Sequence, residues 1–372
     1  MKIVLIGGHL SPALSVLESL PKDAEVLFIG RKYGLEGDNA LSLEYTTITS
    51  LNIPFVALNT GRLQRKLTRY TIASFLKLPS GFIRSFLTLV KFRPDVVVGF
   101  GGYVSIPVVI CAFALRIPVV LHEQTMEAGF ANRFLARFAT KICISWNASR
   151  KYFPKEKTVF TGNPIRQMAN GKWQMANKEK LPLVYITGGS LGSHFINLLV
   201  KGCIRNLLEK YIVIHQAGDA KEFGDFERLN TLKNGLPNEI KDRYVLQKFI
   251  EPKMVGLVLT NANLVVSRSG MNIITELLHF EKPSLLIPLP FSQNNEQLKN
   301  AKFLEKLGLG KVLQQNELDS KKLYQAITLM FHNINNYKIL RDEGENLPRK
   351  DAARNIISVI NYVYKTKTAK IF

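Results

Sequence analysis

The sequence predicts two α/β domains, each a parallel sheet flanked by helices, and three observations carry the prediction. The chain has 372 residues, more than the roughly 250 at which single cores stop growing. Short β-rich runs alternate with helical-period segments in two separate series. Three times, a glycine-rich turn joins such a run to the helix after it.

The first series of β-rich runs covers residues 2–6, 25–29, 95–99 and 118–121. The second covers residues 182–186, 211–215, 264–267 and 284–288. Between them, residues 151–180 are rich in Lys, Asn and Gly with weak periodicity and read as an interdomain linker. Beyond Asp351 a helix is expected to about residue 364, with Ile356, Ile357, Val359, Ile360 and Val363 apolar. The expected domains are residues 1–163 and 164–349, with residues 350–372 packing back on the first.

A composition of 46% apolar, 21% charged and 10% aromatic residues suits a globular protein with a sizeable core. Cys111, Cys143 and Cys203 are odd in number and sit in apolar runs, which indicates neither a disulfide framework nor a zinc site, and a reducing compartment. The apolar stretch over residues 104–120 is broken by Pro107, Arg116 and Pro118, so it reads as buried helix then strand, not a spanning helix. The first apolar run is too short for a signal peptide, so no export is implied. The formal charge of +21 favours anionic partners. No acidic residue intervenes between Glu44 and Asp95, while Arg62, Arg65, Lys66, Arg69, Lys77, Arg84, Lys91 and Arg93 accumulate there, interleaved with Leu67, Tyr70, Phe75, Phe82, Ile83, Phe86 and Leu87. That stretch reads either as an amphipathic surface for an anionic membrane or as a core-facing helix with a solvated basic side. No nucleic-acid-binding module is recognisable.

The first glycine turn is Gly7-Gly8-His9, with Pro12 expected to open the helix that follows. Glycine lets the backbone approach a ligand closely, and a helix start presents free N–H groups to anions. The turn reads as a phosphate or acceptor loop with His9 as base, or as an ordinary tight strand-to-helix turn. The second, Gly99 to Ser105, contains Gly101, Gly102 and Tyr103; the third, Thr187 to Ser193, contains Ser190. Three such loops in register point to ligand binding. None fits the dinucleotide fingerprint, and there is no Walker lysine. The histidines are scattered, with no pair at i, i+4, so no metal site is expected. Ser267-Arg268-Ser269-Gly270 precedes a helix carrying Glu276, which reads as a ribose-binding carboxylate or as a surface helix glutamate. The amide-rich run from Ser292 to Gln297 suits sugar hydroxyls or a plain polar loop.

Together these segments resemble the MurG family, the UDP-N-acetylglucosamine transferases that convert lipid I to lipid II in peptidoglycan synthesis. The resemblance spans nearly the whole chain. Its pieces are Gly7-Gly8-His9 with Pro12, Gly101-Gly102-Tyr103-Val104-Ser105, Leu121-His122-Glu123-Gln124, Gly162-Asn163-Pro164-Ile165-Arg166, Gly188-Gly189-Ser190, Arg268-Ser269-Gly270 to Glu276, and Gln297 with Asn300-Ala301. Three features depart from that family's pattern. The first loop is shorter than its usual Gly-Gly-Thr-Gly-Gly-His. Thr125 stands where an asparagine usually follows His-Glu-Gln. Leu191 and Glu296 replace a glutamine and an amide or histidine.

The resemblance implies a GT-B architecture, two Rossmann-like domains facing a central cleft, with acceptor and membrane on the first and donor on the second. It implies His9 as the catalytic base, and Gly7, Gly8, Gly101, Gly102, Tyr103 and Glu123 as acceptor-binding residues. Donor-binding roles fall to Arg166 and Ser190 at the diphosphate, Glu276 at the ribose, the backbone of Ile250 at the uracil, Gln297 at the sugar hydroxyls, and Asn132. The expected partners are UDP-N-acetylglucosamine, lipid I and an anionic membrane surface at the cytoplasmic face, with no cofactor, metal or nucleic acid. The expected chemistry is a single in-line displacement with inversion. Alternatives are a GT-B enzyme acting on another lipid acceptor, a sugar-nucleotide epimerase, or a catalytically inactive UDP-sugar-binding homologue.

Overall fold

A computed structural model describes residues 1–33, 41–58, 69–165, 181–218, 223–339 and 351–368. The chain forms two compact units, one of residues 1–166 with 348–372, the other of residues 167–347.

In the first unit the strands are β1 (Lys2–Ile6), β2 (Glu25–Gly30), β3 (Phe55–Ala57), β4 (Val96–Gly99), β5 (Val119–Glu123), β6 (Lys141–Ile144) and β7 (Thr158–Phe160). Helices α1 (Leu10–Ser19), α2 (Leu43–Ser50), α3 (Arg69–Phe92), α4 (Ser105–Ala114) and α5 (Phe130–Leu135) connect them. Among the described residues the sheet runs β3-β2-β1-β4-β5-β6-β7, and its pairs are parallel. Such strands are covered on both faces and need near-continuous apolar sequence, as Ile3-Val4-Leu5-Ile6 provides. Alternation then divides them: Ile3 and Leu5 join Ala13, Leu14 and Val16 of α1, whereas Val4 and Ile6 face Leu89, Val104 and Val108.

The second unit contains β8 (Leu183–Thr187), β9 (Ile212–Gln216), β10 (Tyr244–Gln247), β11 (Leu264–Ser267), β12 (Ser284–Leu286) and β13 (Gly310–Val312). Its helices are α6 (His194–Leu208), α7 (Asp225–Asn234), α8 (Asn238–Lys241), α9 (Pro252–Asn261), α10 (Met271–His279), α11 (Glu296–Lys306) and α12 (Ser320–His332). The order is β10-β9-β8-β11-β12-β13, again with parallel pairs. The last helix, α13 (Ala352–Thr368), returns to the first unit, where Ile356, Ile360 and Val363 pack with α1 residues.

The expectation that residues 151–180 form a linker needs correction. Its first part contains β7, which pairs with β6 and closes that edge of the first sheet. A three-residue edge strand amid lysines carries too little alternation to register as one; residues 166–180 lie outside the described residues. The three cysteines are buried and free. Among the described residues no helix is long and apolar enough to cross a membrane.

Sheet order fixes where ligands can be received. In open parallel sheets the crevice lies outside the carboxyl ends of the strands, where the connections diverge to opposite sides. In the first unit that point is between β1 and β4; in the second it is between β8 and β11. The three glycine turns follow β1, β4 and β8, and the Arg268 turn follows β11.

Candidate functional site

In the first unit the Gly7-Gly8 turn and the Gly101-Gly102 turn touch across the crevice. A methyl group on Gly8 would collide with the carbonyl oxygen of Gly101 and stand 2.8 Å from that of Phe100, so the position admits only glycine. Gly101 and Gly102 lie at φ +81° and +75°, a left-handed conformation that likewise favours glycine.

His9 is the N-cap of α1, and its N–H donates to Phe100 O at 3.1 Å. A methyl on Gly101 would lie 3.5 Å from His9 Cδ2 and 3.6 Å from Asn132 Nδ2, so imidazole and amide meet where that glycine has no side chain. The His9 side chain keeps exposed surface, yet the protein packed around the ring lowers its pKa from the ordinary histidine value; the charge of Glu123 acts in the opposite direction. The imidazole is thereby held neutral and able to accept a proton near pH 7.

Glu123, at the end of β5, is 2% exposed. Its Oε1 accepts hydrogen bonds from Thr125 N at 3.0 Å and Thr125 Oγ1 at 2.7 Å, and its Oε2 accepts from Gly129 N and Asn132 Nδ2, both at 3.0 Å. The carboxylate is therefore turned into its own loop. Thr125 caps it from the position where an asparagine was expected. Asn132 sits on α5 in this unit with His9, Gly101 and Glu123, and its buried Oδ1 has no hydrogen-bond partner among the described residues. Behind them His122 is fully buried, bonds Ser145 Oγ at 3.0 Å and has its pKa lowered by burial to about 3.

Two residues that sequence reasoning missed stand at the same edge. Arg31, directly after β2, donates from Nη1 to Tyr103 Oη at 3.3 Å, with its guanidinium carbon 5.3 Å from that ring's centroid. Glu44, in the first turn of α2, accepts a hydrogen bond from Arg31 N at 2.9 Å. Its carboxylate occupies the space that a side chain on Gly7 would need, and burial raises its pKa. Neither residue belongs to a recognisable motif, and only the parallel pairing of β2 with β1 brings them here.

In the second unit the four predicted donor residues within the described chain follow β8, β10, β11 and β12, and so share the carboxyl edge. Ser190 is exposed on the turn after β8. Gln216, unnoticed in the sequence, ties that turn to Ile250: its Nε2 donates to Gly189 O at 2.8 Å and its Oε1 accepts from Ile250 N at 3.3 Å. With that N–H taken, the Ile250 carbonyl is the backbone group left for a base. Arg268 braces the same edge, donating to Ser193 Oγ at 2.8 Å, Ile287 O at 3.0 Å and Gln315 Oε1 at 2.8 Å; burial lowers its pKa to about 10. Glu276 lies half-buried on α10, the helix that the Arg268 turn starts. Gln297 Oε1 accepts from Leu289 N at 3.0 Å, and its backbone carbonyl accepts from Ser269 Oγ at 2.7 Å. Arg166 lies outside the described residues. Among the described residues no three His, Cys, Asp or Glu side chains group as metal ligands would.

The described side chains of α3 divide into two faces. Leu89 and Ser85 are buried, while Ile83 is 62% and Leu87 61% exposed, with Phe86, Val90, Arg84 and Lys91 also exposed. The outward face is thus apolar and basic together. Arg62, Arg65 and Lys66 lie outside the described residues.

Two domain families match the chain in order: the glycosyltransferase family 28 N-terminal domain over residues 6–144 and its C-terminal domain over residues 183–356. A Bacillus cereus UDP-N-acetylglucosamine--N-acetylmuramyl-(pentapeptide) pyrophosphoryl-undecaprenol N-acetylglucosamine transferase is 31% identical, the match covering 97% of this chain and 99% of that one. The Clostridium tetani protein of the same description is 32% identical over 98% and 99%. Among solved structures, Acinetobacter baumannii MurG superposes with a TM-score of 0.70 at 27% identity, covering 97% of this chain and 100% of that one. A putative UDP-N-acetylglucosamine 2-epimerase from Listeria monocytogenes, with a TM-score of 0.67, is only 13% identical and shares the fold alone.

Proposed function

The chain belongs to the MurG family of glycosyltransferases, and from that membership we propose that it transfers N-acetylglucosamine from UDP-N-acetylglucosamine to the C4 hydroxyl of lipid I, forming lipid II for peptidoglycan synthesis. The observation that carries this reading is the near full-length similarity to relatives bearing that name, at 31% and 32% identity.

The reaction is a single displacement. The acceptor C4 oxygen bonds to the anomeric carbon of the donor sugar as the bond to the UDP β-phosphate oxygen breaks, and the configuration inverts. His9 takes the hydroxyl proton, its ring kept neutral by the protein packed around it. The acceptor meets the turns holding Gly7, Gly8, Gly101, Gly102 and Tyr103. Glu123 and Asn132 act as positioning residues for that side. On the donor side Ser190, the N-terminus of α6 and Arg166 meet the diphosphate, Glu276 the ribose, Ile250 the uracil and Gln297 the sugar. The departing UDP is stabilised by fixed dipoles and cations of the chain, and no cofactor takes part.

The enzyme works at the cytoplasmic face of the membrane as a peripheral protein, with the apolar and basic face of α3 against anionic lipid. The deciding experiment supplies radiolabelled UDP-N-acetylglucosamine and a short-chain lipid I analogue to the purified protein and counts label in the extracted lipid. Labelled disaccharide lipid is expected. Donor binding without product would overturn the reading.

A further inference from the structure

In the first sheet β2 and β4 lie on either side of β1. A link between residues just past β2 and just past β4 therefore crosses the carboxyl end of β1, where the Gly7-Gly8 turn lies. The Arg31–Tyr103 pair is that link, formed by a hydrogen bond of 3.3 Å and by the stacking of guanidinium on ring. It uses one of the five N–H donors that a guanidinium carries.

Beneath it the glycine turn is already occupied. Gly7 N donates to Ile29 O at 2.8 Å, and the Glu44 carboxylate, which holds Arg31 N at 2.9 Å, fills the space beside Gly7. Glu44 puts the chain's own carboxylate where doubly wound sheets receive anions on backbone N–H groups. No side chain on Gly7 could coexist with the carboxylate. A phosphate reaching this edge is turned away from the backbone and meets the guanidinium instead, whose planar fork suits phosphate oxygens.

We propose that Arg31, held against Tyr103, grips the diphosphate of the lipid-linked acceptor, and that Glu44 is a positioning residue that anchors the Arg31 backbone and closes the glycine turn to phosphate. This rests on the reading that the acceptor is a lipid diphosphate. In this chain a side-chain cation thus takes the place of a longer glycine loop.

The test uses the full-length protein and geranyl diphosphate as probe, titrated calorimetrically with the donor site saturated by UDP. The wild type should bind the probe. Arg31→Met should weaken binding by about tenfold or more, as expected for loss of charge-assisted hydrogen bonds, and Arg31→Lys should recover part of the loss. UDP affinity and Tm should stay at wild-type values in both variants, and in turnover the acceptor KM should rise with the donor KM unchanged. Wild-type binding by Arg31→Met, no binding by the wild type, or parallel losses for probe and UDP would each overturn the proposal. Failure of the wild type to make labelled disaccharide lipid would instead count against the transferase reading, and the probe titration would still decide the role of Arg31.

Discussion

Asn132 donates from Nδ2 to Glu123 Oε2 at 3.0 Å, and the same Nδ2 stands beside the place where a Gly101 side chain would meet the His9 ring. The His9 ring is thus backed by a carboxylate whose charge raises its pKa through space, against the lowering by the protein packed around the ring.

Replacing His9 by Ala is expected to lower kcat on the order of 10²-fold or more with donor affinity retained, because proton removal from the acceptor hydroxyl is lost. A near-wild-type kcat in the lipid-labelling assay would exclude His9 as base.

The acidic limb of the kcat/KM profile, which reports the free enzyme, should lie below the ordinary histidine pKa of about 6.5, since the protein packed around the ring lowers the His9 value. In Glu123→Gln the raising influence disappears, so the limb should move to still lower pH. The variant should also lose about 1–3 kcal/mol of stability, because one amide cannot accept the four hydrogen bonds the carboxylate holds. A limb that moves toward neutral pH would contradict this electrostatic arrangement.

Gln216→Ala removes a side chain that joins the Gly189 turn to Ile250. Donor KM should rise about tenfold, the equivalent of one to two net hydrogen bonds, while acceptor KM holds. Steady-state kinetics with each substrate varied in turn separate the two.

Phe86→Asp with Leu87→Asp places charge on the exposed face of α3 and should abolish sedimentation with anionic vesicles, each apolar side chain losing about 1.5–3 kcal/mol of burial. Activity on a soluble acceptor analogue should persist. Unchanged, salt-insensitive sedimentation would move the membrane contact elsewhere.

His122 and His215 are both fully buried, with pKa values lowered by burial to about 3. Unfolded histidine titrates near 6.5, so neither group favours the unfolded state above that pH. Below it the unfolded chain gains protons that the folded chain refuses. Stability should fall by up to about 1.4 kcal/mol per pH unit per histidine on the way to pH 3. His215→Gln should flatten the dependence of Tm on pH relative to wild type.

Much of the fold was legible because parallel strands buried on both faces need unbroken apolar runs. Residues 2–6 and 264–267 announce themselves in this way, and α10 and α13 show a helical apolar stripe. Short edge strands escaped. β3, β7 and β13 have three residues each, so too little periodicity distinguishes them from loop. The glycine turns were legible for a related reason, since a position such as Gly8 is set by backbone approach that no other residue permits.

The sequence by itself determined that the chain folds as two parallel-sheet units, and it named His9, Ser190 and Glu276 through motifs whose members are neighbours along the chain. Only the tertiary structure decided what surrounds them. Glu44 reaches Gly7, Arg31 reaches Tyr103 and Gln216 reaches Gly189 through strand pairing between segments distant in sequence. Whether a carboxylate such as Glu123 faces a ligand or its own loop depends on which N–H groups the fold brings within 3 Å of it, and local sequence carries no record of that.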